Sequence, residues 1–164
     1  MNSIDKVNKL SKSDFISIFG NVVEKTEWIA QKSYDLKPYK NFEELFSKMM
    51  EVFENIEKEK HLEILNAHPN LAVEKKLTRD SKNEQKNASL NQCTEEEFLE
   101  FKKLNEEYKK KFGFPFIIAV KGKNKEEILN SFRQRIANNI NLEFIEAKKQ
   151  VKKIAIFRLS EIIK

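Results

Sequence analysis

The sequence predicts an all-α fold, a single compact multi-helix domain over residues 1–164 with one short extended segment near residues 115–120. Hydrophobic residues make up 40% and charged residues 35% of the chain, with only three glycines and three prolines. This mixture suits helices and leaves few turn residues for a sheet. Hydrophobic residues also recur at i, i+3 and i+4 along much of the chain. The length of 164 residues is that of one domain with a substantial core.

Three helices are predicted in the first 55 residues. Ser13 is a candidate N-cap for a short helix that Gly20 ends, and a second helix is predicted over 24–33. Asn41 is a candidate cap for the clearest helix. Its buried face is predicted to contain Phe42, Leu45, Phe46, Met49, Met50 and Phe53.

The pair His68-Pro69 ends the next helix, which runs through His61 to Ala67. A proline pushes the preceding residue out of the α region, so His68 is held by an extended backbone rather than along a helix face. Its imidazole can exchange protons near neutral pH. A histidine at this position is also an ordinary helix stop with a hydrogen-bonded ring, whereas His61 is expected on a helix surface.

Residues 71–90 are polar and weakly patterned, and contain Ser81 and Glu84 in the S-x-x-E form of a capping box. Capping a helix is therefore the structural interpretation of these two residues. Thr94 and Glu97 repeat the signature ahead of a longer helix that is predicted to end near Gly113.

The run 114–120 interrupts the helical spacing. Its apolar residues, several of them β-branched, favour an extended conformation. A lone extended segment in a helical domain needs partners for its main-chain groups, and a ligand could supply some of them. Simple packing against neighbouring helices is the alternative. Asn124 and Glu127 then begin another helix.

Arg158 falls within the apolar stripe of the last helix, which includes Ala147, Val151 and Ile154. A guanidinium is costly to bury, so it should meet a carboxylate, carbonyl groups or an anionic ligand. A structural ion pair and a functional role are equally compatible with this pattern.

The net charge of +5 is modest, and Cys93 is the single cysteine, which fits a reducing compartment. No apolar run approaches the ~20 residues that cross a membrane. The sequence thus predicts a cytoplasmic protein without a membrane segment. Two histidines and one cysteine in no ligand-like spacing predict no metal site.

Four motifs, in order, resemble those of the 2-oxo-4-hydroxy-4-carboxy-5-ureidoimidazoline (OHCU) decarboxylases. They are His68-Pro69-Asn70-Leu71-Ala72, Ser81-x-x-Glu84-Gln85, Phe112-Gly113-Phe114-Pro115-Phe116-Ile117-Ile118, and Lys153-Ile154-Ala155 with Arg158-Leu159. The resemblance implies an all-helical enzyme without a cofactor, commonly a homodimer, that converts the small molecule OHCU to (S)-allantoin in urate degradation. Val73 and Ser89 depart from glycines common in the family, which affects the expected loop path more than the chemistry.

The resemblance also implies roles for individual residues. His68 matches the proton donor, Glu84 its acidic partner, and Arg158 the arginine that faces the substrate. The implied substrate-binding residues are Pro69, Ser81, Lys82, Asn83, Glu84, Gln85, Phe116, Ile117, Ile118, Ala119 and Val120.

Two other interpretations remain open from the sequence. A basic helical module could bind nucleic acid or an acidic protein through Lys148, Lys149, Lys152 and Lys153. Such a run is more often the solvated side of an amphipathic helix, and the family resemblance predicts no nucleic-acid or membrane partner. A family member that has lost catalysis is the other possibility.

Overall fold

A computed structural model describes residues 1–74 and 76–164, and within these residues the chain forms nine helices and no strand. The predicted all-α class is confirmed. The helices are α1 (Ile4–Asn8), α2 (Lys12–Phe19), α3 (Glu27–Tyr34), α4 (Phe42–Glu54), α5 (Lys58–Asn66), α6 (Arg79–Asn87), α7 (Glu95–Phe112), α8 (Lys125–Arg135) and α9 (Ile140–Ile162).

The chain divides into two compact units. Unit 1 comprises Met1–Ile64 and Lys152–Lys164, and unit 2 comprises Leu65–Val151. Helices α5 and α9 each contribute residues to both units. The single domain expected over residues 1–164 stays a prediction, because such a division can fall inside a domain as well as between two.

In unit 1, α4 has the predicted cap and part of the predicted core face. The Asn41 side chain accepts a hydrogen bond from Glu44 N at 2.8 Å, which satisfies one free amide of the first turn. Leu45, Met49 and Phe53 are fully buried on one face. The other three residues predicted to be buried are only half-buried, and they are Phe42, Phe46 and Met50. The sequence pattern therefore located this helix correctly.

Two predicted helix starts in unit 1 are wrong. Ser11, not Ser13, caps α2 by accepting from Asp14 N at 3.1 Å. Helix α3 begins at Glu27 rather than at residue 24. The delay has a local cause, because the Asn21 side chain accepts from Lys25 N at 2.9 Å and Lys25 has a φ of 50°. This turn competes with the helical hydrogen bonds.

His61 is buried rather than on the helix surface. It is 5% exposed, its Nε2 lies 2.8 Å from the carbonyl oxygen of Phe53, and its ring meets the Phe53 ring edge-on at 5.1 Å. A ring satisfied by a main-chain carbonyl within the core has a structural role in unit 1.

In unit 2, two predicted helix starts are confirmed. Thr94 with Glu97 begins α7 and Asn124 with Glu127 begins α8, and each pair forms a capping box. Gly113 ends α7 with a φ of 80°, where a side chain would be strained. The capping-box interpretation of Ser81 and Glu84 is wrong, because Thr78 caps α6 and accepts from Ser81 N at 3.2 Å.

Aromatic side chains form the core of unit 2. The Phe116 and Phe132 rings stack with centroids 3.9 Å apart and planes 9° apart, and Tyr108 meets both rings edge-on. All three are at most 1% exposed. Packing of this kind fixes the residues that follow α7 against α8.

Over residues 1–74 and 76–164, none of the helices has the length and apolar character that a membrane crossing requires. Nor do three or more histidine, cysteine or acidic side chains gather there in a way that could hold a metal ion.

Candidate active site

His68 lies just beyond the end of α5 in unit 2. The helix ends at Asn66, and His68 N still donates to the carbonyl oxygen of Leu65 at 3.2 Å. The predicted helix stop before Pro69 is confirmed. His68 is only 8% exposed, so its imidazole is held in a largely dehydrated position.

The turn that follows His68-Pro69 is held by side chains of α6 and α7. The Gln85 side-chain oxygen accepts from Ala72 N at 3.0 Å, and the Asn105 side chain donates to the carbonyl oxygen of Leu71 at 3.0 Å. Asn105 and Gln85 are buried, and Ala72 has a φ of 67°. The backbone after His68 is therefore fixed on both sides of one peptide.

Helix α6 presents the second predicted binding motif. Ser81 and Gln85 are buried, and Glu84 is half-buried on the same side at i+3 from Ser81. Lys82 and Asn83 are exposed. At the end of this helix Ser89 has a φ of 61°, which explains why a glycine suits this position.

The segment 115–120 lies between α7 and α8 in neither helix nor strand, and Phe116 through Val120 are all buried. Two of its main-chain groups bond to side chains of unit 2. The carbonyl oxygen of Ile117 accepts from Arg135 Nη1 at 2.7 Å, and Ala119 N donates to the Gln150 side chain at 2.9 Å. Side chains thus supply partners that the sequence left to core packing or a ligand.

Arg135 and Glu143 form a buried ion pair beside this segment. Arg135 Nε lies 3.0 Å from Glu143 Oε1, with side chains 11% and 0% exposed. Tyr108 donates to the same carboxylate at 2.5 Å, and Asn138 donates to it at 3.1 Å. The Arg135 guanidinium also lies 4.4 Å from the centre of the Phe116 ring.

This network makes the Tyr108 phenol a weaker acid. Burial, and then the hydrogen bond to Glu143, raise the pKa of the Tyr108 phenol well above its ordinary value. The phenol therefore remains a hydrogen-bond donor to the carboxylate throughout the neutral range. Arg135 Nη2 is buried and makes no hydrogen bond to any described residue.

The sequence analysis missed Arg135, Glu143 and Gln150. One signal was present for Glu143, which lies four residues before Ala147 and eleven before Ile154, on the same apolar stripe that drew attention to Arg158. Arg135 is the last residue of α8, where a basic side chain normally needs no special explanation.

Arg158 lies in unit 1, where it is 5% exposed. Its Nη2 donates to Glu24 at 3.1 Å, and its Nη1 donates to the carbonyl oxygen of Asn21 at 2.8 Å. The carboxylate predicted for a buried guanidinium on the apolar stripe is therefore Glu24.

The four lysines of the basic-module interpretation have different surroundings. In unit 2, Lys148 lies 4.8 Å from the centre of the Phe144 ring, and in unit 1 Lys152 forms an ion pair with Glu54. Lys149 and Lys153 are exposed. This is the ordinary arrangement of the solvated side of a long helix.

The predicted site residues therefore fall into two sets. Unit 2 contains His68, Pro69, the α6 residues 81–85 and the segment 116–120, whereas Arg158 belongs to unit 1. The first set contains an imidazole, a carboxylate and buried main-chain groups. Groups of these chemical types can exchange protons and form hydrogen bonds with small polar molecules.

Comparison with known proteins identifies the class. The family model described as OHCU decarboxylase matches residues 8–160, which is nearly the whole chain. The chain belongs to the OHCU decarboxylase family. The resemblance stated from the four motifs is thereby confirmed.

Individual relatives and a solved structure agree with this assignment. The chain is 34% identical to the 2-oxo-4-hydroxy-4-carboxy-5-ureidoimidazoline decarboxylase of Haloferax volcanii, over 97% of this chain and 95% of that protein. It is 40% identical, over its full length, to a uric acid degradation bifunctional protein of Bacillus sp. (strain TB-90), of which it spans only 33%. A crystal structure of (S)-allantoin synthase superposes with a TM-score of 0.82 at 26% identity, covering 100% of this chain and 54% of that one.

Proposed function

We propose that this protein decarboxylates OHCU to (S)-allantoin without a metal or an organic cofactor. The observation that carries the proposal is the match of the family model over residues 8–160, which includes every motif to which the resemblance assigns a role. The names of the relatives, a urate-degradation protein and an OHCU decarboxylase, point to the same reaction.

The substrate itself supplies the electron sink. Its carboxylate is attached to a carbon that carries a hydroxyl group within a conjugated imidazoline ring. When the bond to the carboxylate breaks, carbon dioxide leaves and the electron pair forms a double bond to the ring carbon that bears the ureido group. The pair of that carbon's double bond to the ring nitrogen moves onto the nitrogen, which takes up a proton. The ring carbon then takes a second proton while the hydroxyl loses its proton and becomes a carbonyl. The protein has to position the substrate and handle protons.

His68 is the proposed proton donor. The helix end and Pro69 fix its backbone, and burial of the ring limits competition from water for the reactive carbon. Protonation from one fixed side gives one enantiomer of allantoin. The hydrogen bonds from Gln85 and Asn105 to the next turn keep this geometry in place.

The remaining residues bind and orient the substrate. Glu84, half-buried on α6 beside Ser81 and Gln85, is proposed to act on the hydroxyl group together with His68. The main chain of 116–120 is proposed to bind the ureido and ring amide edges. Lys82 and Asn83 are retained from the family motif as residues of the same binding segment.

Arg158 is proposed to orient the anionic substrate. Its guanidinium already bonds to Glu24 and to the carbonyl oxygen of Asn21, which fix its plane. A bidentate, permanently charged group of this kind is suited to a carboxylate.

The cellular setting follows from the family and the composition. We infer a homodimer, because the family commonly forms one, and a cytoplasmic location, because a single cysteine suits a reducing compartment. Light scattering coupled to size-exclusion chromatography tests the dimer: a mass near 39 kDa supports it, and 19.4 kDa contradicts it.

A direct assay tests the activity. Freshly generated OHCU is mixed with the protein, and optical rotation is followed as allantoin appears. A rise in the signal of the S enantiomer, faster than in the uncatalysed reaction, supports the proposal. Racemic allantoin formed at the uncatalysed rate would instead indicate a family member without catalysis, and salt-dependent binding to nucleic acid would favour the basic module.

A further inference from the structure

Beside the segment that the family motif assigns to substrate binding lies a group of buried polar residues that belong to none of the four motifs. Arg135, Glu143 and Gln150 come from the end of α8 and from α9. We infer that Arg135 and Gln150 are positioning residues, which set the main chain of 117–119 in its substrate-binding geometry, and that Glu143 holds Arg135 in place. This inference rests on the proposed function.

The first argument is the pair of contacts to the segment. Arg135 bonds to the carbonyl oxygen of Ile117 and Gln150 bonds to the amide of Ala119, at 2.7 and 2.9 Å. Ile117 and Ala119 are two positions apart, and in an extended segment, which the sequence predicts here, main-chain groups at this spacing point to the same side. The main-chain groups of Ile118 then point to the opposite side, which is the side that we assign to the substrate.

The second argument is that Arg135 is itself fixed. Its guanidinium is held by both oxygens of Glu143, at 3.0 and 3.3 Å, and lies against the Phe116 ring. Glu143 in turn accepts from Tyr108 and Asn138. A buried charge pair is costly unless its hydrogen bonds are well made, and here several donors converge on one carboxylate.

The third argument is the conformation that has to be held. The segment has no strand partner within the described residues, so the usual ladder of main-chain hydrogen bonds does not fix it. The polar side chains of α8 and α9 take over this function. A small displacement of the segment would misalign the amide edges that bind the substrate, and so would raise KM and the dissociation constant of the product.

Q150M provides the sharpest test. Methionine has nearly the length of glutamine, so the variant should fold as the wild type does. Its sulfur is only a weak acceptor for Ala119 N. We expect KM for OHCU, and the dissociation constant of (S)-allantoin measured by calorimetry, to rise roughly five- to tenfold, with kcat within about twofold of wild type. R135K should raise KM and the allantoin dissociation constant further, because a lysine cannot bond to Glu143 and to the carbonyl oxygen of Ile117 in the same way.

Two controls separate positioning from general damage. Gln150 also donates to Glu146 at 2.9 Å, so the exchange E146Q/Q150E keeps an acceptor toward Ala119 and a bond between the two side chains. It should restore KM to near the wild-type value. R133M removes an exposed arginine of the same helix, which bonds to half-buried Glu100 instead, and should leave KM and kcat unchanged.

Several outcomes would overturn the inference. Wild-type KM and allantoin affinity in Q150M would do so, as would an equal loss in R133M or no recovery in the folded E146Q/Q150E variant. If R135K fails to fold, Q150M and the E146Q/Q150E exchange still test the inference. A wild-type protein that does not turn over OHCU contradicts the proposed function instead, and allantoin binding by Q150M then decides the positioning role.

Discussion

Two buried arginine–glutamate pairs, one in each unit, are built alike and differ in what they connect. In both, one guanidinium nitrogen donates to a main-chain carbonyl and another to a carboxylate. Arg158 meets a glutamate 134 positions away in the sequence, and Arg135 meets one only 8 positions away. The first pair joins the C-terminal helix to the turn before α3, whereas the second joins α8 to the start of α9 and to the segment 116–120.

The difference shows why similar geometry leads to different expectations. The contact between Arg158 and Glu24 joins the N-terminal and C-terminal parts of unit 1. Its loss should therefore reduce the stability of the fold, in addition to any effect on substrate binding. The Arg135 pair joins the end of α8 to the start of α9, and Arg135 also bonds to the carbonyl oxygen of Ile117. Its loss should therefore also displace the binding segment. Substitutions that alter turnover, stability or binding separately can test this division.

The largest effect is expected for substitution of His68. Because it should lower kcat without reducing stability, it serves as the reference for the variants of the two arginine pairs. H68N removes the proton donor but keeps a polar side chain of similar size. We expect kcat to fall by about 10²–10⁴-fold, with loss of the S preference, measured by optical rotation. The urea midpoint and circular dichroism should match wild type. Near-normal turnover would refute the role of His68.

Removing the carboxylate from each buried pair should have the next largest effect. E24L and E143L each leave a buried guanidinium without its counter-charge, so the free energy of unfolding should fall by about 3–5 kcal/mol in either case. Urea unfolding at pH 7 measures this. The double variants E24L/R158M and E143L/R135M should recover much of the loss, because two apolar residues can replace a buried ion pair. A loss below about 1 kcal/mol in either single variant would contradict the burial argument.

The sequence allowed more of the fold to be predicted than of the site. Helix α4 and the caps at Thr94 and Asn124 follow from local rules, because the cap and the first turn lie within four residues of each other. The start of α3 could not be predicted in this way. It depends on a turn in which the Asn21 side chain accepts from Lys25 N, and this hydrogen bond competes with those of a helix.

Local patterns failed at α6 for a related reason. Ser81 and Glu84 have the spacing of a capping box, but Thr78 begins the helix three residues earlier and places both residues inside it. The pattern itself cannot distinguish a cap from two residues on one helical face. The family motif treats Ser81, Glu84 and Gln85 as one binding segment, which stays a prediction, and all three residues lie in α6.

The two arginine pairs show the limit of single-residue signals. Arg158 interrupts a long apolar stripe and was noticed, but its partner Glu24 is too distant in sequence to be predicted. Glu143 interrupts the same stripe and was overlooked. Recognising it required knowing that Tyr108 and Arg135 converge on it, which is information about tertiary packing.

A smaller effect is expected where Tyr108 supports the Arg135 pair. Y108F leaves Glu143 without one donor, so stability at pH 7 should fall by about 1–3 kcal/mol. The pH dependence should also change. Because burial and the bond to Glu143 raise the pKa of Tyr108 in the folded state, the folded protein keeps this proton when the unfolded chain loses it above about pH 10.

The sign of the alkaline effect follows from linkage. A group whose pKa is raised on folding contributes stability that is fully present below its unfolded pKa and declines as the pH rises above that value. Wild-type stability should therefore decline above about pH 10 more steeply than that of Y108F. Urea unfolding between pH 8 and 11 measures both slopes, and parallel curves would contradict the role assigned to Tyr108.

The smallest effect is expected for a third pair of the same chemistry, Arg133 with Glu100, which lies at the surface with side chains 48% and 35% exposed. Arg133 bonds to both carboxylate oxygens, and these hydrogen bonds with the positive charge lower the pKa of Glu100. A depressed carboxyl contributes stability above its unfolded pKa and loses it as the pH falls through the folded pKa. R133M should therefore raise the pKa of Glu100 toward its ordinary value, measured by carboxyl carbon NMR, and flatten the acid side of the stability curve. At pH 7 its urea midpoint should fall only slightly, because solvent screens the pair. A loss of stability as large as that of E143L would show that burial does not explain the difference between the surface pair and the two buried pairs.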